Sequence, residues 1–154
     1  MGSMTDLPRL LSDVGRVHAH LVAAANARLR YDLDLSLILV ESMTVIADVE
    51  GCRTRDLAAG LGMTSGGASK LVDRLSAMGY CRRHPNPGDR RSSLLTLTPA
   101  GRRRLAQAGQ VVNGELERLL GTVLSEAQIT ELARTLRALR TPAVPPRGPP
   151  PATR

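Results

Sequence analysis

Apolar residues recur at helical spacing near the start of the chain. Between positions 7 and 22 most of them recur at intervals of three or four residues, which places them on one side of a helix and predicts a helix over about 7–30. A second segment, 37–49, is apolar nearly all round, which is typical of a buried central helix. Residues 32–36 are expected to form the link, with Ser36 as a capping residue. The apolar positions of the first helix are Leu7, Leu10, Leu11, Val14, Val17, Leu21 and Val22.

Two shorter helices joined by a turn are predicted over 54–63 and 64–79. Each begins with a threonine, Thr54 or Thr64, whose side chain can cap a helix, and the first ends at a turn that contains glycine. This order is typical of a helix-turn-helix motif, whose second helix enters the major groove of DNA. The polar positions expected to remain outside on that second helix are Ser65, Gly67, Ser69, Lys70 and Arg74.

A β-hairpin with a cationic tip is predicted next. The run 85–88 contains Pro, Asn, Pro and Gly, which break regular structure, and the segments 80–84 and 92–97 are the predicted strands. Arg90 and Arg91 lie at the tip of this turn. Guanidinium groups suit the narrow, strongly negative minor groove, so a hairpin of this kind beside helices indicates a winged DNA-binding domain.

Two further helices complete the predicted fold. Thr98 and Pro99 form a cap and a first helical residue, and that helix extends to about Leu120. A capping box of the form S-x-x-Q at 125–128 opens a last helix that ends at Leu139. The predicted fold class is therefore mainly α, a winged helix-turn-helix core at about 36–98 with a small β-hairpin wing and long N- and C-terminal helices.

Positive charge is concentrated in one part of the chain. The whole sequence has a formal charge of +7. The segment 51–104 alone contains eleven Lys or Arg and three Asp, a net charge of +8, so the remainder is close to neutral. A local excess of this kind is expected of a surface that binds nucleic acid.

Other classes of protein are disfavoured by what the sequence lacks. No stretch has the length of a membrane span and no signal-peptide pattern is present, so we expect a cytoplasmic protein without a membrane partner. Cys52 and Cys81 are too few for a disulfide framework or a four-cysteine zinc site. No motif indicates an enzyme, a cofactor or a metal. Residues 1–3 look like a cloning scar, and the Pro-rich segment 141–154 is expected to be a disordered tail.

Two ordered motifs carry a resemblance to a known family. The first has the pattern D-x-R, a variable run, L-x-L-T and a later Gly, and the second is the helix before the wing together with its exit. Their residues are Asp89-Arg90-Arg91, Leu95-Thr96-Leu97-Thr98, Gly101, Ser69-Lys70-Leu71-Val72-Asp73-Arg74-Leu75 and Met78-Gly79-Tyr80. Over about 33–139, these motifs and the order of elements resemble the MarR family of bacterial transcriptional regulators.

The resemblance implies an architecture and a mode of action. It implies a single domain over 4–140 that forms a homodimer through helices at about 7–30 and 99–140. It also implies binding to double-stranded DNA at a pseudo-palindromic operator, with the two recognition helices in successive major grooves. We expect a repressor that a small-molecule effector releases from the DNA.

The same resemblance indicates which residues contact DNA. Arg91 matches the family's minor-groove arginine and Arg90 is suited to a phosphate, whereas Asp89 is expected to brace the turn. The alternative for Arg91 is an ion pair with Asp89 that only stiffens the wing. Lys and hydroxyl groups of the recognition helix can reach bases, although Thr64 is equally suited to capping. The remaining candidates are Thr64, Ser65, Gly67, Ser69 and Lys70 in that helix, and Arg53, Arg55 and Arg74 for phosphates.

An effector site and two alternative functions complete the expectations. The resemblance places a ligand between helices 1, 2 and 5, where His18, Leu21, Leu39 and Met43 are candidate lining residues. His18 and His20 point in different directions on a helix, which argues against a metal site. One alternative is a redox-responsive regulator that uses Cys52 and Cys81. The other is a winged-helix module that docks a protein or a membrane through its basic wing.

Overall fold

The structure is a computed structural model that describes residues 6–89 and 91–140. The proposed cloning scar, Arg90 and the Pro-rich tail lie outside the described residues. Six helices and one hairpin are found in the described part, which confirms the mainly α winged-helix fold class. The elements are α1 (Leu7–Leu33), α2 (Leu37–Asp48), α3 (Thr54–Gly60), α4 (Ser65–Ala77), β1 (Cys81–Pro85), β2 (Ser93–Leu97), α5 (Pro99–Leu120) and α6 (Glu126–Arg140).

Helix α1 is longer than its apolar pattern predicts. It begins after Asp6, whose side chain accepts a hydrogen bond from the backbone N–H of Arg9. It ends at Leu33, so the predicted link at 32–36 begins two residues too early. An ion pair from Arg28 to Asp32, at 2.8 Å, supports the extra turn, and Asp34 ends the helix in the left-handed conformation (φ 51°).

The start of α2 is stabilised by a residue of α1. Ser36 occupies the predicted capping position, yet its side chain makes no capping hydrogen bond. Instead, Asn26 Oδ1 accepts a hydrogen bond of 2.9 Å from the backbone N–H of Leu37. Leu39 and Met43 of α2 are fully buried, as expected of the central helix. Ser36 is thus the capping residue by position, as predicted, while a tertiary contact supplies the side-chain hydrogen bond at this helix start.

Helices α3 and α4 form the predicted helix-turn-helix. Thr54 does not cap α3, because Arg53 is the capping residue and its N–H donates to Asp56 Oδ2 at 2.9 Å. Thr64 does cap α4, since its Oγ1 accepts a hydrogen bond of 3.1 Å from Gly67 N–H. The buried residues that join the two helices to the core are Leu57, Ala58, Ala68, Val72 and Leu75.

The wing is a two-stranded antiparallel sheet. β1 and β2 pair from Cys81 opposite Leu97 to Pro85 opposite Ser93. The residues before α3 add a short third segment, because Cys52 O accepts a hydrogen bond of 2.7 Å from Leu95 N–H and Arg53 forms an isolated bridge with Leu94. The wing is thus tied to the beginning of the helix-turn-helix.

A close backbone contact joins the start of α5 to the end of the helix-turn-helix. Thr98 Oγ1 accepts a hydrogen bond from Gly101 N–H at 2.9 Å and donates one to Gly79 O at 2.7 Å. A Cβ atom at Gly101 would lie 2.1 Å from Tyr80 O, so only glycine fits there. The predicted cap at Thr98, followed by Pro99, is confirmed.

The contacts divide the chain into two compact units, one up to Leu116 and one from Glu117 onward. The core of the first unit lies among α1 to α5 and the wing. In the second unit the predicted capping box is present, because Ser125 N–H donates to Gln128 Oε1 at 2.8 Å and Gln128 N–H donates to Ser125 Oγ at 3.4 Å.

Candidate nucleic-acid interface

The outer side of α4 presents a hydroxyl group and two cations to solvent. Ser65, Lys70 and Arg74 are exposed, while Gly67 and Ser69 are half-buried. Thr64 is also exposed, but its side-chain oxygen is engaged by the helix cap. The first turn of α4 carries only small residues, so another backbone can approach it closely.

The tip of the wing is braced in a way that leaves an arginine side chain available. Asp89 Oδ1 accepts a hydrogen bond of 3.0 Å from the backbone N–H of Arg91, and Asp89 Oδ2 accepts one of 2.9 Å from Ser92 Oγ. These two bonds lower the pKa of Asp89 below its ordinary value. Arg91 is exposed, and its guanidinium group has no ion-pair partner among the described residues. Asp89 therefore binds the backbone of Arg91 and does not neutralise its charge.

Two further arginines lie where α3 begins. Arg53 is half-buried and its Nε lies 3.1 Å from Asp56 Oδ2, whereas Arg55 is exposed and its Nε lies 3.7 Å from Asp56 Oδ1. Partial burial opposes ionisation of Asp56, yet hydrogen bonds from Arg53 hold the pKa of this carboxyl below its ordinary value. The charges of Arg53 and Arg55 also lower the pKa of Asp89, so the start of α3 and the wing tip share one electrostatic environment.

Three contacts of this region escaped the sequence analysis. Arg83 on β1 forms an ion pair with Asp73 on α4. At the start of α5, one arginine binds a backbone carbonyl and another binds a tyrosine hydroxyl. These contacts are Arg102 Nη1 to Leu97 O at 2.8 Å and Arg104 Nε to Tyr80 Oη at 3.1 Å. Their partners stand 5 to 24 residues apart in the chain, so no local pattern indicates them.

The four predicted effector residues have different environments. His18 is exposed, Leu21 is half-buried, and Leu39 and Met43 are fully buried within the core. A ligand that reached Leu39 or Met43 would have to displace core packing in this conformation. An open cavity of about 320 Å³ lies elsewhere, and its lining residues are Glu41, Thr44, Val45, Gly60 and Leu61. The effector site stays a prediction.

Cys52 and Cys81 are free thiols buried on the core side of the wing. Burial raises the pKa of Cys52 from 9.0 to about 11, with smaller contributions from Asp56 and from Cys81 itself. Burial also raises the pKa of Cys81. Because the thiolate is the reactive form, these environments favour unreactive core residues over redox sensors.

Within residues 6–89 and 91–140, no group of three or more His, Cys, Asp or Glu side chains is arranged to hold a metal ion. No helix in these ranges is sufficiently long and apolar to cross a membrane.

Known proteins with similar sequences share this architecture. A model of the MarR family matches residues 43–92, which include α3, α4 and β1. The multiple antibiotic resistance protein MarR of Escherichia coli is 27% identical over 141 residues, which cover 89% of this chain and 97% of that protein. This chain is therefore similar to MarR-family regulators in sequence.

Solved structures of MarR-type regulators agree in fold. The apo crystal structure of E. coli MarR superposes with a TM-score of 0.76 at 25% identity, covering 90% of this chain and 99% of that chain. CouR from Rhodococcus jostii RHA1, bound to p-coumaroyl-CoA, has a TM-score of 0.71 at 26% identity, covering 91% and 95%. A structure of CouR bound to a 23-mer DNA duplex shares the fold, with a TM-score of 0.76 at 24% identity and coverage of 90% and 98%.

Proposed function

We propose that this protein is a MarR-family transcriptional repressor that acts in the cytoplasm as a homodimer, binds a pseudo-palindromic operator and is released by a small-molecule ligand. The observation that carries DNA binding is the pair of exposed cationic surfaces on α4 and at the wing tip. Lys70 and Arg74 on α4, and Arg91 on the wing, have no ion-pair partner among the described residues. Available cations on neighbouring elements favour a polyanionic partner.

Helix α4 is proposed to enter the major groove. Lys70 would donate to guanine O6 or N7, and the hydroxyl groups of Ser65 and Ser69 would serve bases or phosphates. Gly67 adds no side chain, so the helix backbone can come close to the duplex, while Thr64 serves chiefly as the cap. Arg74 would contact a phosphate, which sets register without reading sequence.

The wing is proposed to contact the minor groove next to that site. Arg91 would enter the groove, because a narrow groove concentrates the negative potential that attracts arginine. Arg90, outside the described residues, is proposed for a phosphate. Of the two arginines at the start of α3, Arg55 is better suited to a phosphate because it is the more exposed.

The homodimer is supported by apolar side chains that the single chain leaves in solvent. In α1 these are Leu7, Leu10, Leu11, Val14, Val17 and Val22, and in α6 they are Leu132, Leu136 and Leu139. Exposed apolar residues repeated along one helix are typical of a surface that another protein covers. A twofold dimer would present two copies of α4 at half-sites about 34 Å apart.

Release by a ligand is supported by the similarity to CouR. CouR, at 26% identity, was solved with p-coumaroyl-CoA bound, which shows that a relative holds a small molecule. We propose that a ligand of this chain binds beside His18 and Leu21 and prefers the conformation that does not bind DNA. Operator affinity would then fall by the ratio of the ligand's two affinities.

Selection from fragmented genomic DNA of the source organism tests this proposal. The protein is expected to enrich a fragment with an inverted repeat, to protect it in a footprint and to bind it more weakly as salt rises. Lys70→Ala should weaken binding to that fragment by about 10- to 100-fold and should affect a scrambled duplex much less. Arg91→Ala should remove protection in the minor groove and lower the salt dependence.

Arg137→Ala is the matched control, because it removes one exposed positive charge from α6. It should leave the footprint and the affinity for the selected fragment unchanged. A wild-type protein that protects no fragment at any salt concentration would overturn DNA binding and favour a protein-docking role for the wing.

A further inference from the structure

One ion pair bridges the recognition helix and the wing. Arg83 Nη2 on β1 donates a hydrogen bond to Asp73 Oδ1 on α4 at 2.5 Å, across ten residues of sequence. Both side chains are accessible to solvent, Arg83 at 38% and Asp73 at 68%. Asp73 is the only acidic residue of α4.

Neither stability nor charge explains why a carboxylate stands at this position. Asp is a poorer helix former than Ala, and the second half of a helix is unfavourable for an anion. Ion pairs exposed to this degree add little to the free energy of unfolding. A carboxylate on a helix that binds DNA also repels phosphates. The contact with Arg83 on the wing therefore explains Asp73 better than a contribution to the stability of the fold does.

Of the adjacent arginines Arg82 and Arg83 on β1, only Arg83 contacts Asp73. Successive residues of a strand point to opposite faces of the sheet, so only one of the two can face α4. Arg83 is the residue that meets Asp73, whereas Arg82 is exposed and has no ion-pair partner among the described residues. The contact with Asp73 therefore depends on the position of Arg83 in the strand, and an arginine elsewhere on β1 could not replace it.

We infer that Asp73 and Arg83 are a positioning pair that sets the wing relative to α4 before DNA is bound. The inference rests on the proposed function, because it concerns how Lys70 on α4 and Arg91 on the wing reach one duplex together. A hairpin that is already oriented loses less conformational freedom when it binds, so the pair raises affinity without touching DNA. It also cancels the carboxylate charge on the surface that faces phosphates.

Removal of the carboxylate distinguishes positioning from simple electrostatics by the sign of the effect. If Asp73 acted only through its negative charge, Asp73→Ala would strengthen DNA binding. If the pair positions the wing, the same substitution weakens binding, although it improves helix propensity and leaves thermal stability unchanged or higher.

The experiment measures affinity by fluorescence anisotropy for a labelled duplex recovered by the selection described above. Asp73→Ala and Arg83→Gln are each expected to weaken binding by about tenfold, and the double variant by no more than about tenfold, because both remove one interaction. Arg82→Gln is the control, since it removes the same charge one residue away. It should change the dissociation constant by no more than about threefold.

A second measurement is independent of DNA. In the free protein, backbone amides of β1 and β2 should exchange with deuterium about tenfold faster in Asp73→Ala than in Arg82→Gln. Tighter or unchanged DNA binding by Asp73→Ala, or equal losses in Arg83→Gln and Arg82→Gln, would overturn the inference while the proposed function stands. Absence of wild-type binding to every selected duplex would instead overturn the proposed function itself.

Discussion

Helix α4 and the first half of α1 are both amphipathic, yet the fold treats their apolar sides differently. In α4 the apolar residues Ala68, Val72 and Leu75 are buried, and the side left in solvent is polar and basic. In α1 no residue before position 21 is even half-buried, and Leu11 is 74% exposed. The apolar side of α4 is therefore buried within the single chain, whereas the apolar side of the first half of α1 has no partner there.

The difference indicates two kinds of partner for the two regions. A polar, cationic surface gains most from a hydrated polyanion, because its charges remain in water and replace counterions. An apolar surface gains most from another apolar surface, at roughly 25 cal/mol for each Å² removed from water. We therefore propose that DNA recognition lies with α4 and assembly with α1.

The largest expected effect comes from breaking the apolar side of α1. Leu11→Asp combined with Val14→Asp should convert the proposed dimer into monomers, because both side chains would carry charge into its interface. DNA affinity should fall by about 100-fold or more, since a monomer loses the gain from binding two half-sites at once. Sedimentation velocity and the footprinting assay measure the two effects.

Ser12→Asp is the control for this pair of substitutions, because Ser12 is exposed on the opposite side of α1. It should leave the dimer intact. A double variant that stays dimeric, or a monomer that binds DNA as tightly as the wild type, would contradict the proposed role of α1.

A second large effect is expected where α5 meets the helix-turn-helix. Gly101→Ala would place a Cβ atom 2.1 Å from Tyr80 O, so the backbone must shift and unfolding should become easier by about 3 kcal/mol. Urea denaturation measures the change. In the same helix, Gly109 has no atom within 4 Å of a built Cβ, so Gly109→Ala should be neutral or stabilising by up to about 1 kcal/mol. Equal effects of the two alanines would show that the close contact is unimportant.

A smaller effect is expected from the cap of α3. Asp56→Ala removes the acceptor for Arg53 N–H and Nε and should cost about 1 kcal/mol of unfolding free energy. Because folding lowers the pKa of Asp56, its contribution is present above the unfolded pKa near 3.9 and is lost as the pH falls through the lower folded value. Denaturation curves between pH 3 and 7, compared with those of the exposed Asp13→Ala, measure this dependence. A loss that is independent of pH would contradict the assignment.

The smallest effect on DNA binding is expected from oxidation. The raised pKa values of Cys52 and Cys81 keep both thiols protonated at pH 8, so a thiol reagent should modify the native protein about 100-fold more slowly than the protein in urea. Peroxide should change the affinity for the selected fragment by less than about twofold. Rapid modification with loss of DNA binding would restore the redox alternative.

The same thiol also affects stability at high pH. Since folding raises the pKa of Cys52 from 9.0 to about 11, its contribution to stability is present below pH 9 and is lost as the pH rises through 11.

Much of the fold was predictable because its signals are local. Thr64, Thr98 and the pair Ser125 and Gln128 cap their helices as predicted, since these bonds join residues three positions apart. Thr54 was the wrong choice at α3, although Asp56 three residues after Arg53 was a usable signal for the correct cap. Local capping rules identify the cap where one candidate residue is available, and they fail where two neighbouring residues, such as Arg53 and Thr54, compete for the position.

The candidate site was predictable in composition and less so in arrangement. Sequence reasoning named Lys70 and Arg91, and the structure places both in solvent without an ion-pair partner in the described ranges. It left open whether Asp89 neutralises Arg91, because the sequence is the same whether the carboxylate binds the backbone N–H or the guanidinium group of Arg91. In the structure, the carboxylate binds the backbone N–H.

By itself, the sequence determined the order of the elements, the cationic segment and the resemblance to MarR regulators, because periodicity, charge and motifs are properties of neighbouring residues. The tertiary structure alone decided that Asn26 accepts the hydrogen bond at the start of α2 and that Arg83 meets Asp73. These outcomes depend on which distant side chains the packing brings within a few ångströms, and no local pattern contains that information.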